Sequence, residues 1–456
     1  MLSPNATLEV TYLPTTSLKP HPQNPRVHSD KQVLQIARSI EAFGFNVPIL
    51  VDDRQNVVAG HGRLLAARKL GWKTVPVIKL THLSKSQYAA FLIADNRLSE
   101  NSTWDERLLG EQLKVLSELE LDFDLEVIGF ETAEIDVLIE GFESISEPDP
   151  DDRLPAIESS AVSVSGDLWQ LGKNRVLCGN SLVSENYERL LDGAKADLVI
   201  TDPPYNVAIE GHASGLGKVR HREFAMAAGE MSAGEFTEFL RKAMTLSRQS
   251  SQPGSLAYYF MDWRHMTQIL AAGLDVYGEP MNLCIWAKNN GGMGSFYRSA
   301  HELIFLFKNG GASHRNNIQL GKFGRYRTNV WNYPSANTFS RSGPEGDLLA
   351  LHPTPKPVSL IGDAIKDSTA RGAMILDPFL GSGTAVIAAE RTGRVCYGLE
   401  LDPLYVDALI RRWQRRTKRD ALHVETGESF QVREARKASQ GTSTSETKGE
   451  EKHDGR

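Results

Sequence analysis

Apolar residues recur at helical spacing in KQVLQIARSIEAFG (31–44) and GRLLAARKLG (62–71), and each run closes on a glycine, a frequent helix stop. Between them PILVDD (48–53) and NVVAGH (56–61) have the short apolar pattern of strands. The alternation predicts a small α/β unit over residues 8–97. Residues 105–143 keep apolar positions at helical spacing, as in LLGEQLKVLSEL, so further helices are expected there. The pattern fails in ESISEPDPDDRLPAIES (144–160), whose Pro, Asp, Glu and Ser content is that of a linker. A larger α/β pattern runs from Gly166 to Glu425, and KASQGTSTSETKGEEKHDGR at the end is poor enough in apolar residues to be expected disordered. The expected domains are 1–97, a helical extension 98–143, a linker 144–165, a large domain 166–425 and a tail 426–456.

Composition narrows the class. The chain has 456 residues, 41% hydrophobic and 24% charged, enough for two or three domains. No apolar run approaches the ~20 residues that span a bilayer, and MLSPNATLEVTYLP has no signal-peptide pattern, so a cytoplasmic protein with no membrane partner is expected. Cys178, Cys284 and Cys396 are too scattered for a disulfide framework or a zinc pair; core roles and no metal are expected. The net charge of -6 is uneven: residues 1–97 carry +6, residues 98–160 carry -16, and residues 161–425 carry +4. Within the last of these, RRWQRRTKR (411–419) is either a solvated helix end or a phosphate-contacting face.

Two motifs carry chemistry. In ADLVITDPPYNV (196–207) an apolar strand runs into Asp202-Pro203-Pro204-Tyr205, and ligands of open α/β sheets bind beyond such strand ends. Asp202 can accept from an exocyclic amine, the two prolines stiffen the loop, and Tyr205 offers a face for an extruded base. In AMILDPFLGSGTAVIAAERTGRVCYGLE (373–400) a strand ending at Asp377 leads into the turn Phe379-Leu380-Gly381-Ser382-Gly383-Thr384 and then a helix. The next strand ends on Glu400, placed to contact ribose hydroxyls. The spacing is not that of a dinucleotide fingerprint; a nucleoside with a small appendage, such as S-adenosylmethionine, fits better.

Together these motifs resemble the amino-group DNA methyltransferases. DPPY resembles the catalytic motif of that family and DPFLGSGT its S-adenosylmethionine loop, which implies cofactor contacts for Asp377, Phe379, Gly381, Gly383, Thr384 and Glu400. HPTPKPVSLIGDAIK (352–366) resembles the segment that closes over the methionine end, through His352, Pro353, Lys356 and Pro357. NLCIWAKNNGGMGSFYRSAHELIFLFKNG (282–310), with its W-x-K and HE, is also similar. The order, catalytic motif before Gly loop, is that of the permuted β class, so the expected fold is a Rossmann-like methyltransferase sheet preceded by a small α+β domain and acidic helices. One departure is Gly179-Asn180-Ser181, where the family usually has an acidic residue that helps bind the adenine end; Asn180 takes that place.

The resemblance implies direct methyl transfer from S-adenosylmethionine to N6 of an adenine flipped out of double-stranded DNA. Cytosine N4 is the alternative, although the cytosine enzymes more often have Ser in place of Asp202. A DNA-binding protein with a degenerate methyltransferase half is a second alternative. Target recognition is expected within 309–347, with 209–230 a further candidate. No restriction-endonuclease motif stands out, so membership of a restriction-modification pair is open, as is a homodimer.

Residues 13–80 resemble the ParB/sulfiredoxin-like domain, through Asn24-Pro25-Arg26, Ser39-Ile40, Gly44, Pro48-Ile49 and Gly60-His61-Gly62-Arg63. The last four end a strand and open a helix, a setting that suits an anion, with Arg63 able to add a bidentate phosphate contact. A nucleotide or DNA is the ligand implied there. No helix-turn-helix is recognisable in the acidic helices that follow.

Overall fold

The computed structural model describes all residues except 1–7, 22–23, 101, 120, 141–148, 153, 156, 159, 208–228, 290, 292–296, 322–326, 335–355 and 447–456. It divides into two compact units, Met1–Glu143 and Ser144–Arg456.

The first unit comprises β1 (Val10–Pro14), α1 (Asp30–Phe43), β2 (Ile49–Val51), β3 (Val57–Ala59), α2 (His61–Lys69), β4 (Thr74–Lys79), α3 (Lys85–Glu100), α4 (Glu106–Glu118) and α5 (Thr132–Glu140). Its sheet has the order β1-β4-β2-β3. Ser29 caps α1 by accepting from the Gln32 amide, and Gly44 ends it, so the sequence-derived helix is shifted by a single residue. Leu18, Ile49, Val51, Val57, Leu64, Val75 and Val77 form the core beside the sheet. A separate cluster of Leu113, Leu125, Ile135 and Ile139 holds α4 and α5 together.

The second unit comprises β5 (Leu168–Leu171), β6 (Asn174–Cys178), α6 (Ser184–Leu191), β7 (Ala196–Thr201), α7 (Ala233–Gln249), β8 (Ser251–Met261), α8 (Met266–Tyr277), β9 (Asn282–Ala287), β10 (His301–Lys308), β11 (Val330–Asn332), α9 (Val358–Ser368), β12 (Met374–Asp377), α10 (Thr384–Thr392), β13 (Val395–Glu400), α11 (Pro403–Thr417), β14 (Leu422–His423) and α12 (Phe430–Glu446). One ten-stranded sheet has the order β11-β9-β10-β8-β7-β12-β13-β6-β5-β14. Its centre, β8-β7-β12-β13-β6, is parallel, and β10 and β5 join either side antiparallel. The central strands are continuous apolar runs because both faces are covered. Alternate residues enter two cores, one shared with α9, α10 and α11 and the other with α6, α7 and α8. Cys178, Cys284 and Cys396 are free thiols buried there, as their spacing predicted.

Three expectations need correction. The stretch read as a linker binds the second unit: Asp149 and Asp151 pair with Arg391 and Arg416, and Asp152 accepts from the Val358 amide at 2.8 Å. The stretch read as a disordered tail holds α12, whose Phe430 is only 1% exposed against Trp169. The basic run 411–419 is divided: Arg415 and Lys418 are exposed, while the other four arginines are engaged within the chain. Arg411, Arg416 and Arg419 pair with Glu434, Asp151 and Glu390, and Arg412 is buried. In each case some of the charges that made the segment look solvent-bound are paired within the chain.

Candidate active site

Strands β7, β12 and β13 are neighbours, and their C-terminal ends carry Thr201-Asp202, Asp377 and Glu400. The parallel register brings these residues to one edge, although Asp202 and Asp377 lie far apart in sequence. Thr201 Oγ1 donates to Asp377 Oδ1 at 2.6 Å, and the Phe379 amide donates to the same oxygen at 3.0 Å. Glu400 accepts from the Gly381 amide on one oxygen and from the Asp402 amide on the other, both at 2.8 Å. Burial pushes both Asp377 and Glu400 up to about 7 against these hydrogen bonds. The turn between them starts α10 from Gly383 at φ +78°, where a Cβ would stand 2.4 Å from Leu409. A glycine is required there on both counts. Thr384 opens α10, and Phe379, half-buried, packs on Phe239.

Asp202 belongs to a denser group. Pro203 is buried, which fixes the loop after β7. The Lys356 ammonium binds Asp202 Oδ2 and lies 3.2 Å from Glu302 Oε2. Lys288 Nζ meets Glu302 Oε1 at 2.5 Å, and the Tyr205 hydroxyl donates to both Asp202 and Glu302. Lys356 also lies 5.5 Å from the centre of the Tyr205 ring, so cation–π contact occupies a face expected to receive a base. Two carboxylates and two ammoniums balance, as a buried group of charges must. Burial opposes ionisation of Glu302, but Lys356 and Lys288 together hold it down at about 2. Burial pushes Asp202 up in spite of Lys356. Asp202 is also the reachable member, with 26% of its side chain open against 4% for Lys356 and 6% for Glu302.

The other sequence-derived residues are placed as follows. Asn180 follows β6 and its side chain accepts from the Leu182 amide at 2.8 Å, closing a local turn. Pro357 precedes α9. His352 lies outside the described residues, as do Pro353, most of 209–230 and 335–347. Within 309–334 the polar groups expected to read DNA are in part internal. Arg327 bonds Tyr333, Asp363 and Asp367 and lies over Trp331, and Asn309 ties β8 to β10. Sequence reading passed over Thr201, gave no role to Lys288 and Glu302 and missed Asp152; the W-x-K and HE of β9 and β10 were the available signal for two of them.

In the first unit, Gly60, His61, Gly62 and Arg63 form the turn into α2, with Gly60 left-handed at φ +95° and no side chain capping the helix. His61 Nε2 accepts from the His21 amide at 3.2 Å. Burial, with His28 and His21, lowers His61 to about 4, so its ring is neutral. Arg63 Nη2 donates to the Pro48 carbonyl at 3.3 Å, while its Nε has no hydrogen-bond partner. Among the described residues no group of three His, Cys, Asp or Glu side chains could hold a metal ion, and no helix is long and apolar enough to cross a membrane.

Comparison with known proteins accounts for most of the chain. The family described as DNA methylase matches residues 196–411, the ParB N-terminal domain matches 3–96, and the ParB-methyltransferase HTH domain matches 107–165. The last match corrects the reading of the acidic helices as lacking a helix-turn-helix; it takes in α5 and all of α4 but its first residue. YnaK, a ParB-like nuclease domain-containing protein of Escherichia coli (strain K12), is 42% identical over 80 residues, 18% of this chain and 92% of YnaK. The type II methyltransferase M.HpaI of Haemophilus parainfluenzae is 24% identical over 247 residues, 51% of this chain and 72% of that protein. The solved structure of PvuII DNA methyltransferase (cytosine-N4-specific) is 17% identical with a TM-score of 0.39, covering 56% of this chain and 90% of its own. The chain therefore belongs to the family of ParB-like domain proteins, and it carries that domain ahead of an N6/N4-amino methyltransferase fold.

Proposed function

We propose that the chain transfers a methyl group from S-adenosylmethionine to the exocyclic N6 of adenine in double-stranded DNA, with the permuted order of the β class. The observation that carries this reading is the juxtaposition at one sheet edge of Asp202, 26% of whose side chain is open, with the turn Phe379–Thr384 and the buried carboxyls Asp377 and Glu400. Buried carboxyl oxygens fit a ligand bearing hydroxyl donors and a positive centre, which favours their ionised form against burial, and the glycine turn admits it close to the backbone.

The cofactor supplies a methyl group on a sulfonium centre. Glu400 accepts from ribose hydroxyls, while Thr201 and the Phe379 amide hold one oxygen of Asp377 at the start of the turn. Extruding the base costs roughly a few kcal/mol, and Tyr205 and the stiff Pro203-Pro204 pair bound the site that receives it. Asp202 accepts a hydrogen bond from the amine and orients its lone pair; position and alignment supply most of the acceleration. After transfer the nitrogen carries an extra proton, which the raised Asp202 carboxylate accepts and returns to solvent at its open edge. The ion pairs of Lys356 with Asp202 and Glu302, and of Lys288 with Glu302, hold Asp202 in place. In the first unit we assign the turn Gly60–Arg63 to a phosphate of a nucleotide or DNA.

The test is transfer of labelled methyl to unmethylated DNA, followed by nucleoside analysis. Label in N6-methyladenine is expected, reduced at least ~100-fold in Asp202→Ala. Label in N4-methylcytosine would correct the base, and absence of cofactor binding would overturn the enzyme reading.

A further inference from the structure

Residues 149–152 hold two parts of the site at once. Asp152 Oδ1 accepts from the Val358 amide at 2.8 Å, across 206 positions of chain. Val358 is the first residue of α9, and the residue before it, Pro357, provides no side-chain cap. The first amides of a helix lack internal partners and favour a carboxylate, so Asp152 caps α9 from outside it. Lys356 stands immediately before this capped turn, and its ammonium reaches Asp202 and Glu302. The Asp151 carbonyl accepts from Arg412 Nη2 at 2.7 Å, and Arg412 is 3% exposed. Arg412 Nη1 donates to the Ser382 carbonyl at 2.9 Å and to Thr384 Oγ1 at 3.3 Å, both in the glycine turn. Ion pairs from Asp149 to Arg391 and from Asp151 to Arg416 secure the segment to α10 and α11.

Building on the proposed methyl transfer, we infer that Asp152 is a positioning residue for it: by capping α9 it fixes the backbone from which Lys356 reaches Asp202, while Arg412 ties the same segment to the glycine turn. Asp152 contacts none of the reacting groups. Its effect passes through Lys356, so it belongs to the rate of the chemical step and not to DNA binding.

The test uses the full chain and compares Asp152→Ala, Asp152→Asn, Lys356→Met and the Asp152→Ala/Lys356→Met double variant for kcat, KM for DNA and thermal midpoint. Asp152→Ala is expected to lower kcat by about tenfold to a hundredfold, since a small misplacement of a reacting constellation has such an effect. KM for DNA stays close to wild type. Asp152→Asn, which keeps an acceptor oxygen for the Val358 amide, recovers most of the loss. The double variant falls no further than Lys356→Met alone. An unchanged kcat in Asp152→Ala, or losses that multiply in the double variant, would overturn the inference while leaving the methyl-transfer reading intact. A wild-type chain that binds no cofactor and methylates nothing removes both.

Discussion

Glu400 sits where burial and hydrogen bonding pull in opposite directions. Two backbone amides favour its ionised form, yet burial wins and holds it at about 7. Ribose hydroxyls donate best to the ionised carboxylate, so cofactor binding and proton release are linked. The sign follows directly. Below the titration the carboxyl is protonated and binding carries the cost of deprotonation; above it that cost vanishes. S-adenosylmethionine affinity is therefore expected to rise with pH by up to about tenfold per unit until pH ~7 and then to level off. Calorimetry across that range checks it, and Glu400→Gln should bind more weakly with a flattened profile; a wild-type affinity independent of pH would remove Glu400 from the ribose contact. Asp202 and Glu400 were legible in the sequence because each ends an apolar strand and the ends of parallel strands share an edge. Lys288 and Glu302 were not assigned, because their approach depends on the antiparallel register of β9 with β10, which sets Glu302 opposite Trp286.

Helix α12 shows how an element can be fixed by a few residues in an otherwise polar segment. Its sequence has too few apolar positions to predict burial, and the expectation of disorder followed from that average. Among the described side chains of α12, Phe430 is the one that enters the core, edge-on to Trp169 at 5.5 Å between ring centres. Arg433 bonds Asp167 and Arg411 bonds Glu434, so charges that read as solvated fasten the helix instead. Phe430→Ala is expected to destabilise the second unit by ~3 to 5 kcal/mol, measured by denaturant titration, because it empties a well-packed aromatic site. A loss below ~1 kcal/mol would mean that the helix is dispensable and that the tail reading from composition was sound. Elements with continuous periodicity, such as α1 and the central strands, were predicted closely because many positions vote together. α12 is held by one buried ring and by ion pairs such as Arg433–Asp167 and Arg411–Glu434, which periodicity does not detect.

Across the whole molecule, charge is distributed in a way that constrains how DNA can be held. Residues 98–160, which overlap the matched helix-turn-helix domain, carry -16, and the sequence displayed this plainly. What the sequence did not display is that four arginines of the most cationic stretch, 411–419, are engaged internally. Arg412 supports the glycine turn, and Arg416 and Arg419 answer Asp151 and Glu390. These pairings join segments distant in the chain, so no local pattern announces them. In salt titrations of DNA binding by the full chain, Arg416→Gln is expected to leave the slope of log affinity against log salt unchanged. The same change should lower stability by less than ~1 kcal/mol, since the pair is only partly buried. A slope shallower by ~0.9, the signature of one lost phosphate contact, would return this helix to the DNA interface and make its pairing with Asp151 a competitor for the nucleic acid.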